Sequence, residues 1–348
     1  MAPTVSVVIP TFNRSMVLTN AIDSVLRQTY ADYEIVVIDD GSTDDTHERL
    51  RPYTGRIEYF YQDNRGLSAA QNKGIELAKG EWISVLADDD EWLPTKLERQ
   101  FAALDILGKD FGACFTDCEF VGRCDFQQTA FEAAGLKKRG PLGILDKPVP
   151  YVLARHPVIL VQSLLVRRSL LTQLGGFDEA MLSEDTDLIL RLSLKTRFCF
   201  VSDPLVKIDR TPSRSRLSEF VFLQTDEVFS NIERMHRKWL ALPELVDPEA
   251  RGQIEESLRA FYCEWIIRKI RQFQFFEAIG KMRQAKDIGG SYSLVVSKLA
   301  LRAARKVSAS LTRRFVRRNT DNSLGGTSSI SWRRQGFPRQ APKRRDPG

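Results

Sequence analysis

The sequence contains little of what a disulfide-stabilised or zinc-binding protein needs. It has five cysteines, an odd number without a CxxC pair, and only three histidines. The cysteines are Cys114, Cys118, Cys124, Cys199 and Cys263, and the histidines are His47, His156 and His236. These counts indicate neither a disulfide framework nor a zinc site, and they exclude a histidine-rich metal site. Any bound metal would need carboxylate ligands, which favours Mg²⁺ or Mn²⁺.

Long apolar runs are also absent. No uninterrupted run approaches the roughly 20 residues of a membrane-spanning helix, although 43% of the 348 residues are hydrophobic. The sequence enters a strand pattern at Val5, without the basic region and apolar stretch of a signal peptide. We therefore expect a cytoplasmic protein, with one large domain or a domain plus an appendage.

Positive charge is concentrated at the C-terminus. The formal net charge of +6 combines +11 over residues 301–348 with −5 over the first 300 residues. The last 30 residues have few aliphatic side chains and many Gly, Ser, Pro and Arg residues, a composition typical of disorder. The charge pattern predicts a mildly acidic body and a basic, disordered tail.

Residues 5 to about 116 alternate β-type runs with helical patterns. Runs such as VSVVI and EIVVI are apolar throughout, as expected of parallel strands covered on both faces. This alternation predicts right-handed βαβ units in a Rossmann-like α/β fold, with a mostly parallel sheet and flanking helices. Strands are predicted at residues 5–10, 34–39, 57–61, 81–86 and 111–116, and helices near residues 15–28, 43–51, 67–79 and 94–107.

The rest of the chain changes character twice. Residues 117–150 contain Gly, Lys and Pro clusters, which predict a surface excursion or flap. Helical patterns return at RRSLLTQL and EDTDLILRL, and apolar stripes at helical spacing continue from about residue 215. We predict an α/β domain over residues 1–212, a helical region over residues 213–312 and the basic tail over residues 313–348.

Three acidic clusters lie where a ligand site is expected. The Asp-Asp pair at 39–40 and the Asp triplet at 88–90 each follow an apolar strand, and the Glu-Asp pair at 184–185 opens a helical pattern. Ligands of open α/β sheets bind at the carboxyl ends of the strands. Carboxylates that converge there suit a divalent cation, a polyphosphate and a general base. This is the chemistry of moving a group off a nucleotide.

Taken in order, the motifs of the first 210 residues resemble those of a family 2 glycosyltransferase with the GT-A fold. The matching segments are VSVVIPTFNR, SVLRQTY, EIVVIDDGSTDDT, NRGLSAAQNKGIELAKGEWI, LADDDEWLPTKLE, GGFDE and EDTDLILRLS. Their shared order and spacing carry the resemblance. It implies a nucleotide-sugar donor, usually a UDP-sugar, and transfer to a hydroxyl acceptor with inversion at the anomeric carbon.

The resemblance implies a donor pocket at the ends of the first two strands. It assigns Asp40 to the base of the nucleotide and the backbone around Pro10 and Thr11 to the same pocket. Asp39 is expected mainly to fix the turn and secondarily to contact the donor. Arg65 in NRG is expected to approach the donor phosphates through its positive charge.

The acidic triplet corresponds to the D-x-D region of the family, whose carboxylates bridge the ribose and a metal on the diphosphate. Alignment on EWLP places Ala87 where the family commonly has its first Asp. Asp88 is then expected to bind ribose or metal, and Asp89 to bind Mn²⁺ or Mg²⁺. The literal spacing Asp88-x-Asp90 offers a second register, in which Asp90 joins the metal site.

Glu184 and Asp185 match the ED motif of the family, in which the Asp is the usual catalytic base. The resemblance implies that Asp185, with Glu184 beside it, removes the proton of the acceptor hydroxyl as that oxygen attacks C1. General-base help of this kind is worth roughly 10²–10⁴-fold. A transition state similar to an oxocarbenium ion is expected, as in glycoside chemistry generally.

The residues also allow other interpretations. Ala87 alone favours a non-catalytic nucleotide- or glycan-binding protein on the same fold, and a sugar-nucleotide pyrophosphorylase lacks support because no Gly-rich loop follows the first strand. His156 is expected to be structural, whereas Arg210 could reach the pyrophosphate from a loop. Trp82 and Trp92 are expected to pack in the core or the wall of the site.

The basic C-terminus has three interpretations. Residues 291–318 combine apolar and basic residues and could lie on an anionic membrane. They could bind nucleic acid, which no accompanying aromatic module supports, or they could be a solvated end. Membrane contact is favoured because many family acceptors are lipid-linked glycans. The expected partners are then a nucleotide sugar and a glycan or lipid-linked acceptor, in cell-surface polysaccharide or glycolipid assembly at the inner face of the membrane.

Overall fold

The structure is a computed structural model that describes residues 2–108, 110–122, 129–136, 140–154, 156–211 and 225–287. Its strands are β1 (Val5–Thr11), β2 (Tyr33–Asp39), β3 (Glu58–Tyr61), β4 (Trp82–Val85), β5 (Glu91–Trp92), β6 (Phe111–Val121), β7 (Leu142–Leu145), β8 (Leu165–Arg167) and β9 (Arg197–Asp209). Its helices are α1 (Ser15–Leu26), α2 (Thr46–Leu50), α3 (Leu67–Leu77), α4 (Lys96–Leu107), α5 (Ala130–Ala133), α6 (Val149–Val152), α7 (Arg168–Leu174), α8 (Glu184–Ser193), α9 (Asp226–Leu240), α10 (Pro248–Arg271) and α11 (Phe275–Asp287), with 3₁₀ turns at Arg51–Tyr53 and Val161–Ser163.

The strands form one mixed sheet in the order β3-β2-β1-β4-β8-β6-β9-β5, with β7 also paired to β9. Strand β1 is parallel to β2 and β4, β2 is parallel to β3, and β6 is parallel to β9. The antiparallel pairings are those of β8 with its two neighbours and of β5 and β7 with β9. The predicted α/β fold, with a mostly parallel sheet and flanking helices, is confirmed.

The predicted surface excursion over residues 117–150 is wrong in two places. Strand β6 continues to Val121 because it pairs with the long strand β9. Residues 142–145 add an antiparallel strand to the other side of β9. Both pairings join segments that are far apart in the sequence, so local patterns do not indicate them.

Apolar side chains fill both faces of the sheet. Val7 and Ile9 of β1 belong to one buried cluster with α1 and α4, and Val8 belongs to the other with α3 and α8. This alternation is the two-residue period of a strand. Gly74 of α3 lets that helix approach β1 closely, since a Cβ atom there would lie 2.2 Å from Val8 Cγ1. Strand β1 is therefore packed by helices on both faces of the sheet.

Two compact units are distinguished, residues 1–265 and residues 266–348. In the first unit, Met235 and Trp239 of α9 belong to the same buried cluster as α8. Helix α10 packs on α9 there, with the rings of Phe229 and Trp265 stacked at 5.3 Å between centroids. In the second unit the structure describes residues 266–287. The predicted boundaries near residues 212 and 312 lie outside the described residues.

Among the helices that the structure describes, none is both long enough and apolar enough to cross a bilayer.

Candidate active site

The ends of β1 and β2 lie side by side, joined by a hydrogen bond from the Asp40 N–H to the Thr11 carbonyl (2.9 Å). Asp39 Oδ1 accepts from the Ser42 N–H, and its Oδ2 accepts from the Tyr59 hydroxyl, both at 2.8 Å. Burial, together with this carboxylate, raises the pKa of Tyr59. Asp39 thereby fixes the DDGS turn. The buried Pro10 precedes Thr11 in β1.

Asp40 is buried and holds the segment that leads into α3. Its Oδ1 accepts from Gln62 Nε2 at 2.8 Å and from the Arg65 N–H at 2.9 Å. Its Oδ2 accepts from the N–H of Gly66, the residue that precedes α3, at 2.8 Å. The carboxylate thus ties the end of β2 to the N-terminus of α3, and its predicted contact with a nucleotide base stays a prediction.

Asp88 and Asp89 lie together after β4, around one cation. The Arg14 guanidinium contacts Asp88 Oδ1 and Asp89 Oδ2, each at 3.1 Å. Asp88 Oδ2 also accepts from the Thr11 hydroxyl at 2.8 Å. The acidic turn is thereby tied to the end of β1 and the start of α1.

Burial raises the pKa of Asp88 to about 6, while the Arg14 charge and the Thr11 hydroxyl act in the opposite direction. Two adjacent carboxylates that require a positive partner are the donor set expected of a hard-cation site. In the described part of the chain, no group of three His, Cys, Asp or Glu side chains is arranged to hold a metal ion. One or two carboxylates with substrate phosphates suffice for Mg²⁺, so Asp88 and Asp89 fit such an ion.

Asp90 is buried and engaged elsewhere. Its Oδ1 accepts from the Asp209 N–H at the end of β9 (3.0 Å). The next residue, Arg210, carries a positive charge that partly lowers the pKa of Asp185. The end of β9 therefore connects the acidic turn with the Glu-Asp pair, and the structure brings the two predicted parts of the site to one end of the sheet.

Arg65 has an exposed side chain and lies over the GGFDE segment, with its Nη2 at 3.4 Å from Glu179 Oε2. Asn72 of α3 holds the same segment. It accepts from the Phe177 N–H at 2.8 Å and donates to the Phe177 carbonyl at 2.9 Å. Gly176 has φ +71° and leaves the space that Asn72 occupies.

Glu184 and Asp185 form the first turn of α8, and both are half-buried. Burial, and after it the charge of Asp185, raises the pKa of Glu184 to about 8. Burial also raises the pKa of Asp185, opposed by hydrogen bonds from Thr186, whose N–H lies 2.6 Å from Asp185 Oδ1. A carboxylate whose proton affinity is raised in this way suits a general base near neutral pH.

Asp187, one turn into α8, is fully buried and holds the helix in position. It accepts from Arg191 Nη2 at 2.7 Å, from Lys238 Nζ at 2.9 Å and from Trp239 Nε1 at 2.9 Å. Arg191 also donates to the Gly176 carbonyl at 2.8 Å. This cluster of Asp187, Arg191, Lys238 and Trp239, the α8–α9 cluster, joins the Glu-Asp helix to α9 and to the GG turn.

Helix α9 also holds the loop that precedes the Glu-Asp pair. Asn231 Oδ1 accepts from the Leu182 N–H at 3.0 Å, and its amide donates to the Ala180 carbonyl at 3.3 Å. Arg234 donates to the same carbonyl. The position of Asp185 thus depends on a helix that follows it by some forty residues.

Sequence reasoning missed three contributors to the site. Arg14 was part of the VSVVIPTFNR motif, but nothing in the motif indicates its two carboxylate partners. Asn72 stood in QNKG as a polar residue in a helical pattern. Asp187 was visible as a third acid in EDTD, whereas its partner Lys238 carries no sequence signal. Trp82 and Trp92 are buried, as expected, and His156 is exposed.

Comparison with known proteins identifies the class to which this site belongs. Residues 6–141 match the family model Glycosyl transferase family 2. An uncharacterized glycosyltransferase of Rickettsia prowazekii is 26% identical over 301 residues, which are 86% of this chain and 90% of that protein. The GalNAc(5)-diNAcBac-PP-undecaprenol beta-1,3-glucosyltransferase of Campylobacter jejuni is 43% identical over 123 residues, 34% of this chain and 40% of that protein.

Solved structures share the fold. TarS of S. aureus (residues 1–349, in complex with UDP-GlcNAc) superposes with a TM-score of 0.62 at 18% identity, over 82% of this chain and 81% of that one. The mannosyltransferase PcManGT of Pyrobaculum calidifontis, in complex with GDP-Man and Mn²⁺, gives a TM-score of 0.53 at 17% identity, over 88% and 81%.

These comparisons support a glycosyltransferase of family 2 type: residues 6–141 match that family model, a glycosyltransferase relative matches over most of the chain, and the GT-A fold is shared with solved glycosyltransferases. Its relatives include enzymes of polysaccharide and glycolipid biosynthesis. The enzyme is thus favoured over the non-catalytic binding protein that Ala87 left open.

Proposed function

We propose that the protein transfers a sugar from a nucleotide-sugar donor, a UDP-sugar, to a hydroxyl acceptor with inversion at the anomeric carbon. The observation that carries the proposal is the arrangement of two different carboxylate sets at one end of the sheet. Asp88 and Asp89 share the Arg14 cation, whereas Asp185 lies in a half-buried pair with raised pKa. The first environment suits the leaving diphosphate with its cation, and the second suits a base, which needs a raised pKa.

The donor is proposed to lie along the ends of β1 and β2. The backbone at Pro10 and Thr11 would line the nucleotide pocket, with Asp40 and, secondarily, Asp39 beside the base. Both aspartates accept hydrogen bonds from the protein itself, so they would act chiefly by shaping the loops around the nucleotide. The exposed Arg65 would approach the phosphates, for which its positive charge is suited.

Asp89, with Asp88 as ribose or second metal ligand, is proposed to hold a divalent cation, Mn²⁺ or Mg²⁺. When bound, such an ion supplies Lewis-acid stabilisation of the departing diphosphate. The register with Asp89 as metal ligand is preferred over that with Asp90, because Asp88 and Asp89 share Arg14 while Asp90 binds the backbone of β9. The ion bound by PcManGT is compatible with this choice.

The chain's own residues then perform the transfer as a single displacement. Asp185 accepts the proton of the acceptor hydroxyl while that oxygen forms a bond to C1 of the sugar. The bond from C1 to the diphosphate breaks on the opposite face, so the configuration at C1 inverts. Burial keeps the proton affinity of Asp185 high, and Glu184 lies beside it. The α8–α9 cluster holds both carboxylates at the start of α8.

A lipid-linked glycan is the proposed acceptor class, in assembly of a surface polysaccharide or glycolipid. The related Campylobacter jejuni enzyme is named for an undecaprenol-linked substrate. Such an acceptor requires a membrane surface, which for the expected cytoplasmic protein is the inner face, with the basic C-terminus in peripheral contact. Residues 1–212 are proposed as the transferase domain, residues 213–312 as a helical region and residues 313–348 as the tail.

Titration of UDP into the full chain, with and without Mn²⁺, tests the donor site. The wild type is expected to bind UDP in a Mn²⁺-dependent manner, and Asp89→Ala is expected to lose that dependence. Asp105→Ala, a change of an exposed aspartate on α4, serves as the control and should bind like the wild type. If UDP fails to bind under all conditions and GDP and dTDP fail as well, the proposed donor class is wrong.

A further inference from the structure

The turn between α10 and α11, in the second unit, exposes a compact group of aromatic side chains. Phe273 is 81% exposed and Phe276 is 93% exposed, and Phe275 and Ile279 beside them are also exposed. All residues from Arg271 to Glu277 are exposed. Single apolar side chains are common on protein surfaces, but three phenylalanines within four positions are characteristic of an interaction site.

The backbone of this turn presents the rings in a fixed way. Helix α10 ends in a Schellman motif, with hydrogen bonds from the Gln274 N–H to the Lys269 carbonyl (2.9 Å) and from the Phe273 N–H to the Ile270 carbonyl (3.1 Å). Phe273 occupies the left-handed position of that motif, with φ 59°, where glycine is usual. The buried Lys269 then joins Gln274 at 3.1 Å and Glu277 at 2.5 Å across the turn.

A bulky ring at a position that favours glycine points to a use for that ring. The ring planes of Phe273 and Phe275 are nearly perpendicular, with centroids 6.2 Å apart. We call Phe273, Phe275, Phe276 and Ile279 the aromatic turn. Because the Schellman bonds and Lys269 hold the backbone, the aromatic turn loses little conformational entropy when it enters an apolar phase.

The charge around the aromatic turn indicates which apolar phase the turn enters. Residues 266–287 contain six basic and two acidic side chains, and Arg271, Arg283 and Lys286 among the basic ones are exposed. Aromatic side chains flanked by exposed cations suit the interface of an anionic bilayer, where rings enter the headgroup boundary and cations meet lipid phosphates. We propose that the aromatic turn docks the protein on an anionic lipid surface.

Charge argues against two other partners for the aromatic turn, a second copy of the protein and the C-terminal part of the same chain. A second copy would bring one net +4 surface onto another. Residues 288–348 of the same chain contain 14 basic and two acidic side chains, so they would also place like charge beside like charge. Only an anionic partner complements both the rings and the cations.

Flotation of the full chain with phosphatidylcholine vesicles, with and without phosphatidylglycerol, tests the docking. The wild type is expected to float with the anionic vesicles. The double variant Phe273→Ser/Phe276→Ser is expected to bind them at least about tenfold more weakly, because two buried rings are lost. The control Ile106→Ser/Val246→Ser removes two similarly exposed apolar side chains elsewhere and should float like the wild type.

A tryptophan probe distinguishes docking by the aromatic turn from docking by the tail. In Phe276→Trp, the added fluorescence relative to wild type is expected to be quenched by acrylamide in solution and by brominated lipid on anionic vesicles. If the phenylalanine variant floats unchanged, or if Trp at 276 is shielded without vesicles or unquenched by brominated lipid, the proposal is overturned. No donor or acceptor is present, so failure here leaves the transfer reaction untouched, and UDP binding by each variant reports separately on the donor site.

Discussion

The two acidic parts of the site differ in how their charges are compensated. The donor-side aspartates have partners close at hand: Asp88 and Asp89 share Arg14, and Asp40 accepts three hydrogen bonds. Burial instead raises both pKa values of the Glu184–Asp185 pair, and the charge of Asp185 adds to the rise at Glu184. Carboxylates that hold a ligand need fixed positive partners, whereas a base needs an affinity for protons.

The supports of the two parts differ as well. The acidic turn is held by residues at the ends of β1 and β9, close to the strand that it follows. The Glu-Asp helix is held from outside by α9, through Asp187 and Lys238. One part is therefore built by the sheet itself, and the other depends on a later helix. The following changes break or sharpen this contrast.

The largest effect on stability is expected from Asp187→Asn. The change leaves the buried Arg191 guanidinium without its carboxylate and Lys238 with Asp178 as its remaining partner, so the free energy of unfolding should fall by about 3–5 kcal/mol. Glu249→Gln breaks the exposed pair with Lys147 and should cost no more than about 1 kcal/mol. Chemical denaturation measures both. Equal losses would mean that α8 does not depend on the α8–α9 cluster.

Arg14→Met tests the shared cation of the donor side. Without the guanidinium, Asp88 and Asp89 repel each other, and stability should fall by about 1–3 kcal/mol. Because added Mn²⁺ would then supply the missing positive charge, it should raise the Tm of the variant more than that of the wild type. Arg49→Met, at the exposed pair with Asp45, should show no such difference. A variant whose Tm responds to Mn²⁺ like the wild type would contradict the assignment.

The pH dependence of transfer tests the base. Burial raises the pKa of both carboxyls, and the charge of Asp185 adds to the rise at Glu184, whose pKa lies at about 8. The two carboxyls titrate as a pair, so the rate should increase with pH as the pair ionises. In Glu184→Gln only Asp185 titrates, and this limb should move to lower pH. In the control Glu179→Gln the limb should stay where it is in the wild type. A limb that does not move in Glu184→Gln would contradict the coupling of the two carboxyls.

The smallest effect on stability is expected from Arg65→Ala. Its ion pair with Glu179 is exposed at 3.4 Å, so the free energy of unfolding should change by less than about 1 kcal/mol. If Arg65 approaches the phosphates as predicted, affinity for UDP should nevertheless fall by about tenfold. The control Arg56→Ala removes the same charge from the turn that precedes β3 and should leave UDP affinity unchanged. Unchanged UDP affinity would limit Arg65 to its contact with Glu179.

The sequence located the parts of the fold that are built from local runs. Strands β1 to β4 and helices α1, α3, α4, α7 and α8 lie close to their predicted positions, because apolar runs and helical spacing are local properties. The motif residues at the strand ends were found for the same reason. The antiparallel β7, the antiparallel pairing of β8 and the length of β6 were not predicted, since their partners lie far along the chain.

The contacts that hold the Glu-Asp helix could not be predicted either. Asp187 and Lys238 are 51 positions apart, and nothing in a helical pattern says which acid will face which base. Arg14 likewise became a site residue only when the fold placed it beside Asp88 and Asp89. Sequence patterns identify the residues that carry chemistry more readily than those that position them.

Turnover and donor binding of Asp185→Asn test the central claim most directly. The change preserves shape and removes the base, so transfer or donor hydrolysis should fall by roughly 10²–10⁴-fold. Binding of the UDP-sugar with Mn²⁺ should stay within a few-fold of the wild type, because the donor side is separate. Turnover that persists in the variant, or donor binding lost together with turnover, would contradict the division into a donor side and a base.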